Sequence, residues 1–144
     1  MPDILMDFPV AAPAKAVFQA ISTPAGLDTW WTLTSSGSAE PGAMMSLGFG
    51  PEYQWTARVT RCVAEREFEL ELVDAMPDWV GTRVGFSLAP TTDGGTQVRF
   101  RHVGWAEASD HFRRSAYCWA MYLRIMKLGV EESLRVPYDQ RLNV

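Results

Sequence analysis

Histidine is the side chain whose ordinary proton affinity lies nearest neutral pH, and the chain carries two, His102 and His111. His102 ends the run Gln97-Val98-Arg99-Phe100-Arg101-His102, in which apolar and polar side chains alternate. A period of two places alternate residues on one face of a strand. His102 is therefore expected to point inward with Val98 and Phe100. An inward imidazole can bond a backbone carbonyl or an indole N–H as a structural group, contact a ligand carbonyl or hydroxyl, or act as an acid or base. Catalysis wants an orienting carboxylate, and this strand supplies none. His111, at the start of a helical stretch, is expected to face solvent. Asp74, Asp78 and Glu107 fall in or near connecting segments, from which any could approach a cavity mouth.

The second unusual supply is aromatic. Six tryptophans stand at 30, 31, 55, 79, 105 and 119. Each offers a large apolar surface and one N–H that needs a partner when buried. Ligand pockets combine such surfaces with a few polar groups. Strand phase places Phe49 and Trp55 on the inner face of a sheet, with Trp119 on a helix opposite. Trp30, Trp31, Trp79 and Trp105 fall at ends and connections, where a cavity mouth would lie. The candidate ligand-binding set is Trp30, Trp31, Phe49, Trp55, Trp79, Phe86, Phe100, His102, Trp105, Trp119, Tyr122 and Met126. The alternative is that these side chains simply fill a core. Met44, Met45, Met121 and Met126 add adaptable apolar volume, for gap-filling or for a pocket that fits varied ligands.

Other chemistries find little support. No Ser/His/Asp order, HExxH, phosphate loop or dinucleotide fingerprint is present, and no catalytic residue, metal site or cofactor is assigned. Cys62 and Cys118 lie far apart in apolar runs, which favours buried free thiols over a zinc site or a disulfide and suits a reducing cytoplasm. With 13 basic and 17 acidic side chains the formal charge is -4. That argues against nucleic acid or an anionic membrane, which need clustered Lys and Arg. Met1 to Val10 lacks the basic start of a signal peptide. The apolar stretch Ser115 to Leu123 is shorter than the roughly 20 residues that span a bilayer.

The elements that would position these residues follow from periodicity. The chain's 144 residues, 47% apolar and 21% charged, fit one globular domain over 1–144. Ile4 to Val10 reads as a strand. Pro13 can open a helix bearing Val17, Phe18 and Ile21 on one face. Thr23 before Pro24 ends it, and Pro24 opens a second short helix to Trp31. Period-two alternation then runs through five segments, centred on Leu47, Ala57, Leu70, Phe86 and Phe100. Turn residues separate them, among them the hairpin signal Asp93-Gly94-Gly95. A further strand is possible around Thr32 to Ser38. Ser109 can cap a long helix, expected over Asp110 to Arg135 and stopped by Pro137. Its apolar stripe is Ala116, Trp119, Leu123, Met126, Val130 and Leu134, widened by Tyr122 and Ile125; Gly129 within it would allow close packing. The predicted fold is α+β. A curved antiparallel sheet of six or seven strands wraps the long helix, with two short helices between strands 1 and 2. On the outer face, Glu67, Glu69 and Glu71 lie between strands bearing Arg58 and Arg83, as a salt-bridged solvated surface or, alternatively, an acidic docking surface.

Four segments resemble a known group. Pro13-Ala14-Lys15-Ala16-Val17-Phe18-Gln19-Ala20-Ile21, Thr23-Pro24-Ala25-Gly26-Leu27 to Trp30-Trp31, Gly95-Thr96-Gln97-Val98-Arg99-Phe100-Arg101-His102-Val103-Gly104-Trp105, and Trp119 with Leu123 and Lys127 to Glu131 are similar to segments of the SRPBCC (START/Bet v 1-like) superfamily. Within it they look like the activator of Hsp90 ATPase homologue group. The resemblance implies a helix-grip fold with a cavity between sheet and terminal helix. It also implies binding of a lipid, hormone, polyketide or other apolar molecule, and a stress-response setting. Three functions follow as expectations: a non-catalytic cytoplasmic binder of a small apolar or aromatic molecule, a co-chaperone-like regulator with a protein partner, or a cyclase or hydrolase using His102. The last requires an acidic group within reach of His102. The chain would be a monomer or a homodimer.

Overall fold

The computed structural model describes residues 1–144. The chain forms β1 (Ile4–Val10), α1 (Ala14–Ser22), α2 (Pro24–Leu27), β2 (Thr34–Gly37), β3 (Met44–Gly48), β4 (Gln54–Val63), β5 (Glu67–Asp74), β6 (Arg83–Pro90), β7 (Thr96–Val103) and α3 (Asp110–Glu132), and ends in a 3-10 helix, Tyr138–Asn143. All seven strands join one antiparallel sheet in the order β1-β7-β6-β5-β4-β3-β2. The strands from β2 to β7 form a meander because each is tied to the next by a short connection. β1 and β2 lie at opposite edges, so α1 and α2 carry the chain across the sheet. Two register shifts in β4, at Thr56/Ala57 and Val59/Arg61, are bulges of the kind that bend a strand. They help the sheet curl over α3.

Alternation dictates the burial. Met45, Leu47, Ala57, Val59, Leu70, Leu72, Val84, Phe86, Val98, Phe100 and His102 all face a single core that α3 closes with Trp119, Leu123, Ile125 and Met126. The Ser109 hydroxyl accepts the Phe112 N–H and so satisfies one free donor at the start of α3. The helix is shorter than its pattern predicts. It stops at Glu132 because Ser133 turns left-handed (φ 56°) and returns its N–H to the Gly129 carbonyl. Leu134, expected on the apolar stripe, is exposed instead. Gly129 leaves room for the returning chain rather than for the sheet: a Cβ there would meet the Arg135 guanidinium at 3.1 Å. The second helix is likewise shorter than expected, one turn over Pro24–Leu27, and turns carry Trp30 and Trp31 inward.

On the outer face the three glutamates are neutralised by arginines. Arg58 lies 3.5 Å and Arg83 3.9 Å from Glu71, Arg61 lies 3.2 Å from Glu67, and Arg101 lies 3.1 Å from Glu69. Glu69 is only 7% exposed. Arg101 reaches it from β7 by crossing β6 at Gly85, where a Cβ would sit 2.7 Å from the guanidinium carbon. That glycine is needed because the guanidinium lies directly on the backbone.

Candidate functional site

Five aromatic rings close on one another between the sheet and α3. Trp31 lies 5.6 Å from Phe49, Phe49 4.7 Å from Trp55, Trp55 5.0 Å from Trp79, Trp79 5.9 Å from Trp119, and Trp119 5.1 Å from Trp31, between ring centroids. Five places in the chain supply them. Phe49 directly follows β3, Trp55 is near the start of β4, Trp119 is on α3, and Trp31 and Trp79 come from the turns after α2 and β5. These rings line one open cavity of about 430 Å³, together with Tyr53, Met76, His111, Arg114, Ser115, Cys118, Tyr122 and Tyr138. Four of these five ring pairs meet edge-on or tilted and only Trp79 and Trp119 stack, a geometry that packs less closely than parallel rings.

Of the twelve sequence-predicted residues, Trp31, Phe49, Trp55, Trp79, Trp119 and Tyr122 line this cavity. Trp30, Phe86, Phe100, His102, Trp105 and Met126 lie outside the lining, in the packed core. Trp30 is held there by its indole N–H, which donates to the Ala20 carbonyl at 2.8 Å, and by the Phe86 ring edge-on at 6.2 Å. Phe100 packs on Trp119 at 4.6 Å. Gly104, left-handed at φ 89°, ends β7 and swings Trp105 back to within 4.7 Å of His102. The Trp105 N–H is buried with no hydrogen-bond partner; the rings around it offer only π faces, which are weak acceptors.

His102 points inward, is 0% exposed and uses both nitrogens. The Trp119 indole can only donate, so its N–H bond to His102 Nδ1 at 3.0 Å makes Nδ1 the acceptor. The proton of the neutral ring is then on Nε2, which donates to Thr82 Oγ1 at 2.8 Å. The Thr82 hydroxyl in turn donates to the Trp79 carbonyl at 2.6 Å. Burial, with a smaller contribution from the charge of His111, pushes the His102 pKa down to about 3. No carboxylate bonds it. The arrangement that an acid–base role would require, His102 beside an acidic group, is absent; the imidazole is a fixed spacer between helix and sheet.

The cavity has a different histidine. His111, expected to face solvent, is half-buried in the lining and stacks on Trp79 at 6.1 Å. Its Nδ1 donates to both oxygens of Asp78, at 2.8 and 2.9 Å. Asp74 and Glu107 stay exposed and take no part. One turn along α3, the Ser115 hydroxyl accepts the Trp79 indole N–H at 3.2 Å. These bonds pin the β5–β6 connection to the helix. The sequence did hold a signal for this wall: His111, Ser115, Cys118 and Tyr122 recur at helical spacing along one side of the apolar stripe. The C-terminal 3-10 helix was not anticipated. It adds Tyr138, whose hydroxyl donates to the Phe49 carbonyl at 3.1 Å, and Arg141, whose guanidinium is buried against the carbonyls of Asp28, Thr32 and Val136.

A curved antiparallel sheet gripping one long helix over an aromatic cavity defines a helix-grip protein of the SRPBCC class. The chain belongs to the family of Activator of Hsp90 ATPase homolog 1-like proteins, whose model matches residues 11–131. It is similar to an Aha1 dimer from Colwellia psychrerythraea, with 28% identity over 92% of this chain and 98% of that one and a TM-score of 0.82. A protein of Staphylococcus saprophyticus (17% identity, 94% and 96% covered, TM-score 0.78) and one of Bacillus halodurans (23% identity, 92% and 98% covered, TM-score 0.75) share the fold. No curated protein matches the chain. No helix is long and apolar enough to cross a membrane.

Proposed function

We propose that the protein binds a small apolar or aromatic molecule in the cavity between sheet and α3, without chemical conversion. The carrying observation is the open cavity of about 430 Å³ lined by five rings that meet in a closed circuit. A flat apolar guest there replaces water on ring faces that already stand in place, so little ordering opposes binding. The polar groups are few and sit at one side, as they do where orientation is fixed by a handful of bonds. The two free thiols, Cys62 and Cys118, fit a reducing cytoplasmic setting. The Colwellia structure is of a dimer; that supports a homodimer over a monomer for this chain, which light scattering of the purified protein would decide.

Tryptophan fluorescence tests the binding reading. Titration with a panel of apolar aromatic compounds is expected to give saturable quenching. Cys118→Phe, which grows a ring into the cavity from α3, should weaken the best binder at least about tenfold, about 1.4 kcal/mol, while far-ultraviolet circular dichroism stays unchanged. Absence of saturable quenching across the panel, or quenching untouched by Cys118→Phe in a folded variant, would overturn it.

A further inference from the structure

The polar groups around the cavity have one sign of charge to spare. Arg114 lines the cavity, is exposed, and makes no ion pair with any carboxylate of the chain. Its charge reaches into the lining. Burial pushes the Cys118 thiol up, and Arg114 acts against that push. The lining contains no carboxylate at all. Asp78, the nearest acid, turns both oxygens to His111 Nδ1. His111 Nε2 and the Tyr122 hydroxyl line the same space and have no bonding partner in the chain.

A second cation lies one ring behind the wall. The Arg141 guanidinium sits 5.2 Å from the centre of the Tyr138 ring, which faces the cavity. Arg141 is 4% exposed and bonds three backbone carbonyls, with no carboxylate within ion-pair distance. The Asp28 side chain near it bonds the hydroxyls of Thr32 and Ser35 instead. A buried guanidinium without a direct ion pair is costly; the Asp28 charge acts against that cost without touching it, and the field of the guanidinium is screened weakly through an apolar wall. In a chain whose formal charge is -4, a cavity with one unpaired guanidinium on its rim and another behind the Tyr138 ring runs against the global balance.

Building on the binding reading, we infer that the ligand is an amphipathic carboxylic acid. Its aromatic or aliphatic body lies on the five-ring floor, and its carboxylate meets the Arg114 guanidinium at the rim beside His111. Arg offers two parallel N–H donors that match a carboxylate. The Tyr122 phenol, protonated at neutral pH as tyrosines ordinarily are, supplies a further donor. The body provides affinity and the headgroup sets orientation and selectivity.

Calorimetric titration with 2-naphthylacetate and with its neutral counterpart 2-naphthylacetamide separates the two layers of the argument. The acid is expected to bind about tenfold more tightly than the amide at low salt, and the gap should narrow as salt screens the exposed Arg114. In Arg114→Gln the gap should close, with the loss falling mainly on the acid. Arg114 is exposed, so this variant should fold; its thermal midpoint checks that. Equal affinity of acid and amide for the wild-type protein would overturn the headgroup assignment and leave the cavity reading standing. An acid preference that survives in folded Arg114→Gln would likewise remove Arg114 from the role. If neither compound binds while the apolar panel still quenches, the headgroup assignment falls alone; if the panel fails as well, both readings fall.

Discussion

The two histidines mark two ends of one aromatic cluster, and those ends differ in what their polar atoms do. Around His102 every donor but the Trp105 N–H is matched: Trp119 to His102, His102 to Thr82, Thr82 to Trp79, Trp30 to Ala20. Around His111 the bonds hold a wall in place and leave atoms over: His111 Nε2, the Tyr122 hydroxyl and the Arg114 guanidinium. Ring content does not separate the two ends, since Trp79 and Trp119 belong to both. Closure does. At the His102 end, Trp30, Phe86 and Phe100 fill the space between sheet and helix. At the His111 end the same space is rimmed by Tyr53, Tyr138 and Arg114 and stays open. A cluster of tryptophans is thus a core where its polar atoms are spent among themselves and a binding surface where they are not.

The largest expected contrast is in stability. Trp30→Ala removes a ring that is 1% exposed together with its bond to Ala20; it should cost about 3–5 kcal/mol. Trp55→Ala, on the cavity wall and only partly buried, removes a ring that already lacks neighbours on one side, and should cost roughly half as much or less. Urea unfolding measures both. Equal losses would mean that the His111 end is packed as tightly as the His102 end, and the comparison would fail.

A smaller effect separates the ends by pH. His102 titrates near 6.5 in the unfolded chain and at about 3 when folded. Below 6.5 the unfolded state takes up a proton that the folded state refuses, so stability is complete above that pH and declines as pH falls toward 3. The slope from this one group approaches about 1.4 kcal/mol per pH unit. Carboxylates such as Glu131, whose pKa is lowered by its bonds to Ala11 and Lys127 against the opposing push of burial, add losses at lower pH. His102→Gln isolates the histidine: its unfolding free energy should fall less steeply than the wild type's between about pH 6.5 and pH 5. Parallel slopes would show that His102 is not buried as a neutral ring.

How much of this contrast was legible follows from where each residue gets its position. Alternation along β7 places His102 inward without any knowledge of its partners, and the same rule recovers the sheet, the core and the facing position of Trp119. The cavity wall depends on segments with no period. Asp78 lies in the β5–β6 connection, 33 residues from the imidazole it holds. Tyr138 and Arg141 follow Pro137, past the point where the helical pattern ends. Trp30 and Trp31 are adjacent and read alike, yet one turn of chain sends Trp30 into the core and Trp31 to the cavity. Periodicity fixes a face; it does not fix how far two faces stand apart, and that distance decides which aromatic residues touch empty space.

The smallest expected effect tests what the Asp78–His111 pair is for. Both partners are about a third exposed, with side-chain exposures of 29% and 34%, so water competes with the bond. Asp78→Asn should lower global stability by only about 0.2–1 kcal/mol. The pair nonetheless ties the connection carrying Met76 and Trp79 to α3, leaving the Trp79–Ser115 bond as the remaining side-chain tie there. Local opening of that segment should therefore become more frequent than the change in global stability accounts for. Hydrogen exchange reads this directly: amides of Trp79, Val80 and Gly81, bonded to Met76 and Leu72 carbonyls, should exchange faster in Asp78→Asn, while those of β7 around His102 keep their rates. Uniform acceleration across both regions would mean that the two ends unfold as one unit, and that the open end has no independent motion through which a guest could enter.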